Sequence, residues 1–248
     1  MPAARGFRGH SERTTRRDAS SERCPEHDEA NWSVRYERWT RYARRDVERL
    51  REHIGKIVLA SIVLFFAWHW WSTRTVHHGP GQVAPDEPVQ VNLDASTPFQ
   101  FKKHYLQPLA TFDIRARVLS RERYWIDRPS KLSPIDLALG WGPMSDERLL
   151  DKLDISQSGR WWHWAYSEGV MEQEVSFHAA NMHMIPSTPD VESTILGARV
   201  GQVVHLIGKL VQATADDGFT WRSSLSRTDS GDGACEVVYV EQATATDN

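Results

Sequence analysis

Cysteine is scarce in this chain. Only Cys24 and Cys235 occur among its 248 residues, and a long apolar run at residues 54–71 lies between them, so a membrane crossing there puts the two thiols on opposite sides. No internal disulfide can then form, which excludes a disulfide scaffold. Cys235 is left as a buried apolar residue, a partner in an intermolecular bridge, or a reactive thiol. Large apolar residues are nearly absent from residues 1–30, where Arg, Ser, Glu and Gly dominate. Such a stretch cannot bury enough surface to offset its ordering entropy, and a disordered tail is expected. Excess positive charge is lacking as well: the net charge is −3, which argues against a nucleic-acid partner. No Ala-x-Ala site follows the apolar run, where Ser72-Thr73-Arg74 stands instead. The Arg16-Arg17 pair is too far upstream to form a twin-arginine signal with it, so a retained signal anchor is expected.

What is present is that run, IGKIVLASIVLFFAWHWW. Eighteen residues at 1.5 Å each give about 27 Å, close to the roughly 30 Å hydrocarbon core of a bilayer. Lys56, its single charge, sits in the first turn where its stem can snorkel, and Trp68, Trp70 and Trp71 cluster at the far end as interfacial aromatics do. Charge is split about it. Residues 1–53 hold 13 Arg against 10 acids, whereas residues 72–248 hold 16 Lys or Arg against 23 acids. Seven arginines from Arg35 to Arg51 flank the run, so the positive-inside rule places the N-terminus in the cytoplasm and the acidic C-terminal part outside.

Upstream of the run, Tyr36, Trp39, Ala43, Val47, Leu50 and Ile54 recur at spacings of three and four, the stripe of an amphipathic helix at residues 31–53 continuous with the span. That stripe suits either self-association through residues 36–54 or a basic helix lying on anionic lipid. Residues 72–98 carry Gly79-Pro80-Gly81, Pro85, Pro88 and Pro98 and read as an extended linker. A domain is expected at 99–241, followed by a disordered tail at 242–248. Phe112, Ile114, Ala116 and Val118 alternate with Asp113, Arg115 and Arg117 as a half-buried strand does. Residues 160–166, 174–180, 202–213, 219–224 and 235–241 also read as strands, with Asp217-Gly218 a turn signal and Gly208 a bulge or bend. Short helices are expected after Ser145 and at Thr188-Pro189-Asp190. The fold class is α+β, mainly β: a small antiparallel barrel of OB type, or a sandwich, with two short helices.

Three stretches could carry chemistry. His178, His183 and Met184 bring imidazole and thioether close in sequence, a set suited to a transition metal, yet in a straight strand His178 and His183 face opposite sides and need a turn at Asn181 to meet; Asn181 and Arg227 are themselves candidates for contacting a ligand. Residues 223–236 contain Arg227, Asp229, Asp232, Cys235 and Glu236. Their spacing does not fit a calcium loop of the EF-hand kind, and a polar turn explains them as well. Cys235 could instead pair with His178 or His183 as an activated nucleophile. Neither the Thr-Leu-x-Thr-Cys of sortases nor the His-Gly of L,D-transpeptidases is present. Trp141, Trp161, Trp162, Trp164 and Trp221 could line a ligand surface or fill a core. Asp136 is a lone carboxylate in apolar company, a half of the pair a glycosidase needs.

Residues 133–146 (SPIDLALGWGPMSD), 178–186 (HAANMHMIP) and 223–236 (SSLSRTDSGDGACE) together resemble a family of bacterial envelope proteins with an N-terminal membrane segment and no established activity. The resemblance implies an inner-membrane anchor with the β-rich domain in the periplasm, and it implies no catalytic residues. The expectation is a tethered binding domain for an envelope protein or peptide, without a cofactor. The competing reading is a thiol- or metal-dependent enzyme.

Overall fold

The computed structural model describes residues 29–167, 169–226 and 234–247. The expected tail at 1–30 falls almost entirely outside them. Two compact units divide at Val63 and Leu64. Helix α1 (Glu29–Thr73) runs unbroken through the juxtamembrane stripe and the apolar run. Its segment Val34–Trp71 is long and apolar enough to cross a membrane, and none of the apolar window is buried against protein. Exposure of Ile57, Leu59, Ile62, Leu64 and Phe65 is opposite to what the core helix of a soluble domain shows.

The β-rich unit contains β1 (Val89–Asn92), β2 (Phe99–Phe101), β3 (His104–Arg123), β4 (Ile135–Gly140), α2 (Glu147–Leu150), β5 (Leu153–Ser158), β6 (Trp161–Tyr166), α3 (Glu172–Phe177), β7 (Ala179–Pro186), α4 (Pro189–Gly197), β8 (Val203–Ala215), β9 (Thr220–Arg222) and β10 (Glu236–Thr246). The chain is therefore α+β and mainly β, as its alternation predicts. In the main sheet β4 lies between β3 and β7, and β10 between β7 and β8, while β8 also pairs with β3, so the sheet curls back on itself. All these pairings are antiparallel except β7 with β10, which is parallel. A crossover between parallel neighbours needs a long connection. Here α4, β8 and β9 lie between β7 and β10 in the chain. Alternation on β3 sends Phe112, Ile114, Ala116 and Val118 into one apolar core with Leu137, Leu139, Met182, Met184, Leu206, Leu210, Val238 and Val240. Each fully buried aliphatic or aromatic side chain there contributes about 1.5–3 kcal/mol.

Local rules account for the elements. Thr188 caps α4 by accepting the Val191 N–H, with Pro189 in the first turn. Asp146, rather than Ser145, caps α2 by accepting the Arg148 N–H at 2.9 Å. Gly208 faces the Tyr239 carbonyl so closely that a Cβ has no room, and the β8–β10 register shifts nearby, between Val240 and Gln242. Two expectations fail here. Residues 174–180 are not one strand, because Glu172 and Glu174 open the short helix α3 and β7 starts only at Ala179. The expected C-terminal tail is instead the second half of β10, with Ala243, Thr244, Ala245 and Thr246 paired to β8.

The Pro-rich stretch after α1 is not a free linker either. Val76 N–H donates to the Val200 carbonyl at 2.8 Å, His77 Nδ1 lies 3.0 Å from Glu147, and Gly81 N–H donates to Asp146 at 3.2 Å. Ala84 is fully buried and accepts from Gly142 N–H. Proline and glycine made this stretch extended, and extended chain can lie along a surface as readily as span water. The Arg148 guanidinium, helped by backbone N–H donors, holds Asp146 well below the usual carboxylate range. Burial pushes Glu147 up, but hydrogen bonds from His77 and Arg117 outweigh it and leave Glu147 lowered. Carboxylates depressed by folding stabilise the fold above their ordinary pKa of about 4, and that stability drains as pH falls through the folded values. Amide protection at residues 76–84 is therefore expected to hold from neutral pH to about pH 4 and to fall selectively below it. Hydrogen exchange read at matched extents of intrinsic exchange tests this, and uniform loss across the domain would contradict it.

Candidate functional site

The β5–β6 hairpin forms a separate two-stranded sheet whose end pair is Ser158 and Trp161. Only Gly159 and Arg160 connect them, both at positive φ, 59° and 71°. This is the tight turn whose handedness matches strand twist. Glycine fits it without strain, whereas Arg160 costs about 1–2 kcal/mol in that conformation. The strain positions a guanidinium. Arg160 Nη1 donates to Asp136 at 3.0 Å, Nε to Asp127 at 2.5 Å and Nη2 to the Ser133 carbonyl at 2.9 Å. Its plane stacks 4.0 Å from the Tyr124 ring and lies 5.3 Å from that of Trp221. The Tyr124 hydroxyl accepts the Arg160 N–H and donates to Glu122, and burial first, then that bond to Glu122, raises its pKa far above the normal range.

Register supplies the next contact. Asp136 on β4 and His183 on β7 are direct partners, so their side chains share one face of the sheet. Asp136 is wholly buried, and His183 Nδ1 lies 2.9 Å from its Oδ1. The approach is close but skewed from hydrogen-bond alignment, and Asp136 Oδ2 has no partner among the described residues. The imidazole packs on Trp221 of β9 with ring centroids 4.5 Å apart. Two residues before His183, Asn181 points to the same face. Its Nδ2 donates to the Arg160 carbonyl at 3.0 Å and lies 3.9 Å from Cys235 Sγ, while Gln157 donates to its Oδ1 at 2.6 Å. Cys235 is half-buried at the entry to β10. A cleft of about 470 Å³ opens over this layer, walled by Pro129, Arg160, Trp161, His183, Phe219, Trp221, Arg222 and Cys235.

The structure thus unites Asn181, His183 and Cys235, and adds Asp136, Arg160, Trp161 and Trp221. It separates the rest. His178 ends α3, with its ring against Gly142 and Nε2 3.6 Å from Glu87. β7 runs straight through Asn181, so the turn needed to bring His178 to His183 is absent, and five residues of strand separate them by about 16 Å. Met184 is fully buried in the core on the face opposite His183. No group of three or more His, Cys, Asp or Glu able to hold a metal occurs among the described residues. Trp141 is a core residue, and Trp162 and Trp164 of β6 pack, partly buried, against the small core around Leu119, Ala138 and Met144. Arg227, Asp229 and Asp232 lie outside the described residues.

Sequence reasoning missed Arg160 altogether. Its signal was Gly-Arg between two short aromatic or β-branched runs, where an Asn-Gly would be ordinary. No family model matches the chain, and neither the curated proteins nor the solved structures contain a match to it.

Proposed function

We propose that this chain is a single-pass protein of the bacterial inner membrane, its N-terminus cytoplasmic and its β-rich domain periplasmic, and that the domain tethers an envelope peptide or protein by binding it in the cleft over His183 and Trp221. The carrying observation is the cleft itself, a concave site with aromatic walls and a half-buried, hydrogen-bonded arginine, on a chain that also holds an exposed helix of membrane-crossing length. Strand order supports an OB-type domain in which β4 and β7 correspond to the second and third strands. Ligands of that fold sit on the face of these two strands. The arginines flanking the span support the orientation. The exposed stripe of Tyr36, Trp39, Val47, Leu50 and Ile54 supports pairing of two copies through residues 36–54.

Aromatic anchors in such sites contribute about 2 kcal/mol or more each, which is some thirtyfold in affinity. A photo-crosslinking residue in place of Phe219, in the full-length protein in membranes, should give a discrete adduct that Trp221→Ala diminishes at least tenfold. The same residue in place of Val89 should give none. Equal adducts from both positions, or none from either, would count against the reading. A second reading, catalysis, is favoured by the presence of Cys235 in the same cleft.

A further inference from the structure

The cleft holds more than recognition requires. A binding surface gains nothing from a buried carboxylate set directly behind an imidazole, with a thiol in the same wall. Three roles recur when a thiol acts as an acyl acceptor: a nucleophile, a base that takes its proton, and a group that orients the base. We propose that Cys235, His183 and Asp136 form a thiol, imidazole and carboxylate site that accepts an acyl group from an ester or thioester bound in the cleft. This rests on the reading of the cleft as a ligand site.

Each role follows from position. Cys235 precedes Glu236, whose parallel partner is Met182, and Val237 is the partner of His183. Cys235 and Val237 share a face, so the thiol lies diagonally across from His183 and beside Asn181. The Asp136 carboxylate, with Oδ1 2.9 Å from Nδ1, is the group placed to orient the ring for proton transfer through Nε2. Asp136 is a positioning residue here, since it is wholly buried and touches no ligand. The Asn181 amide, whose Nδ2 lies 3.9 Å from Sγ, is the donor assigned to the oxygen on which charge develops. Arg160 and Arg222, from the β5–β6 turn and from β9, line the same cleft as the thiol and bring positive charge into it. Asp127 and Asp136 partly neutralise Arg160, while Glu236 points to the other side of β10.

The chemistry balances with water as the only co-reactant. His183 takes the thiol proton as Sγ attacks the acyl carbon. The bond from that carbon to the leaving oxygen or sulfur breaks, and the leaving group carries off the proton from His183. Water then attacks the thioester while His183 accepts its proton. The carboxylic acid departs, and the proton returns to the thiolate.

The test uses the full chain in detergent, carrying Cys24→Ser so that one thiol remains, with p-nitrophenyl acetate as the probe. About one p-nitrophenolate per chain is expected as a burst, with the acetyl group found on Cys235 by peptide mass mapping. The native chain should acetylate much faster than the same chain in urea. His183→Gln should slow the step by about 10²–10⁴-fold, the usual worth of a general base. Asp136→Asn should slow it less and move the pH profile, which a merely structural role would not do. Acetylation no faster in the native chain than in urea would overturn the proposal, whatever the variants do. Scoring adduct and acetylation together in the Phe219 crosslinking chain, with Cys235 retained, separates the two readings. A surviving adduct without acetylation refutes the thiol chemistry alone, whereas loss of the wild-type adduct refutes binding and leaves acetylation to be judged by the urea comparison.

Discussion

Asp136→Ala is expected to destabilise the β-rich domain by about 3–5 kcal/mol, the cost of leaving a buried ion partner uncompensated. For a domain of this size that is roughly a 10 °C fall in melting temperature. The residue is wholly buried, and its carboxylate is the shared anion for the Arg160 guanidinium at 3.0 Å and for His183 at 2.9 Å. With the carboxylate gone, Arg160 keeps Asp127 and the Ser133 carbonyl, but the positive β5–β6 turn loses its innermost anchor. His183 then sits beside a void. Asp136→Asn preserves shape and one acceptor and should cost less than half as much. Urea unfolding of the full chain in detergent, followed by tryptophan fluorescence, gives both numbers. A loss below about 1 kcal/mol for the alanine variant, within the range of an exposed ion pair, would show that the cluster is open to solvent in solution.

Trp141→Ala is the second large effect, again about 3–5 kcal/mol, the range for emptying a buried aromatic site. Trp141 is 1% exposed and packs in the main core, and its indole N–H donates to Glu87 at 2.9 Å. The substitution therefore removes core volume and unfastens the chain near β1 at once. Trp141→Phe separates the two contributions. It keeps most of the buried area and forfeits the hydrogen bond, whose usual worth of about 1.5–3 kcal/mol for a charged acceptor is much reduced because Glu87 is exposed to water. Faster amide exchange at residues 84–92 in both variants, with global stability lost mainly in the alanine one, is the expected pattern. If the phenylalanine variant is as unstable as the alanine variant, the Glu87 bond carries more of the site than packing does.

What could be read from the sequence had a period. The 3.6-residue stripe of Tyr36, Trp39, Val47 and Leu50 and the apolar run after it announce one long helix, and α1 continues through both. Alternation from Phe112 to Val118 marks β3, though pairing extends the strand to His104 and Arg123, well beyond the alternating core. β4 was invisible as a strand because all of Ile135–Gly140 is buried and so shows no alternation. Asp136 looked like an isolated acid because its partners arrive from residues 160 and 183, and sequence distance says nothing of register. The histidines illustrate the same limit. His178 and His183 were plausible partners by proximity in the chain, and an extended β7 parts them. Cys235 and His183, 52 residues apart in the numbering, are brought to one cleft by a parallel pairing that no local pattern encodes.

The docking of residues 76–84 has a mechanical consequence. Thr73 is the last residue of α1 and Val76 the first to bond to the domain, so Arg74 and Thr75 are all the slack the chain has. Across three peptide steps that is about 10–11 Å of reach. With so short a bridge, a pull on the end of α1 reaches the Val76–Val200 and Gly81–Asp146 hydrogen bonds before any strand of the main sheet.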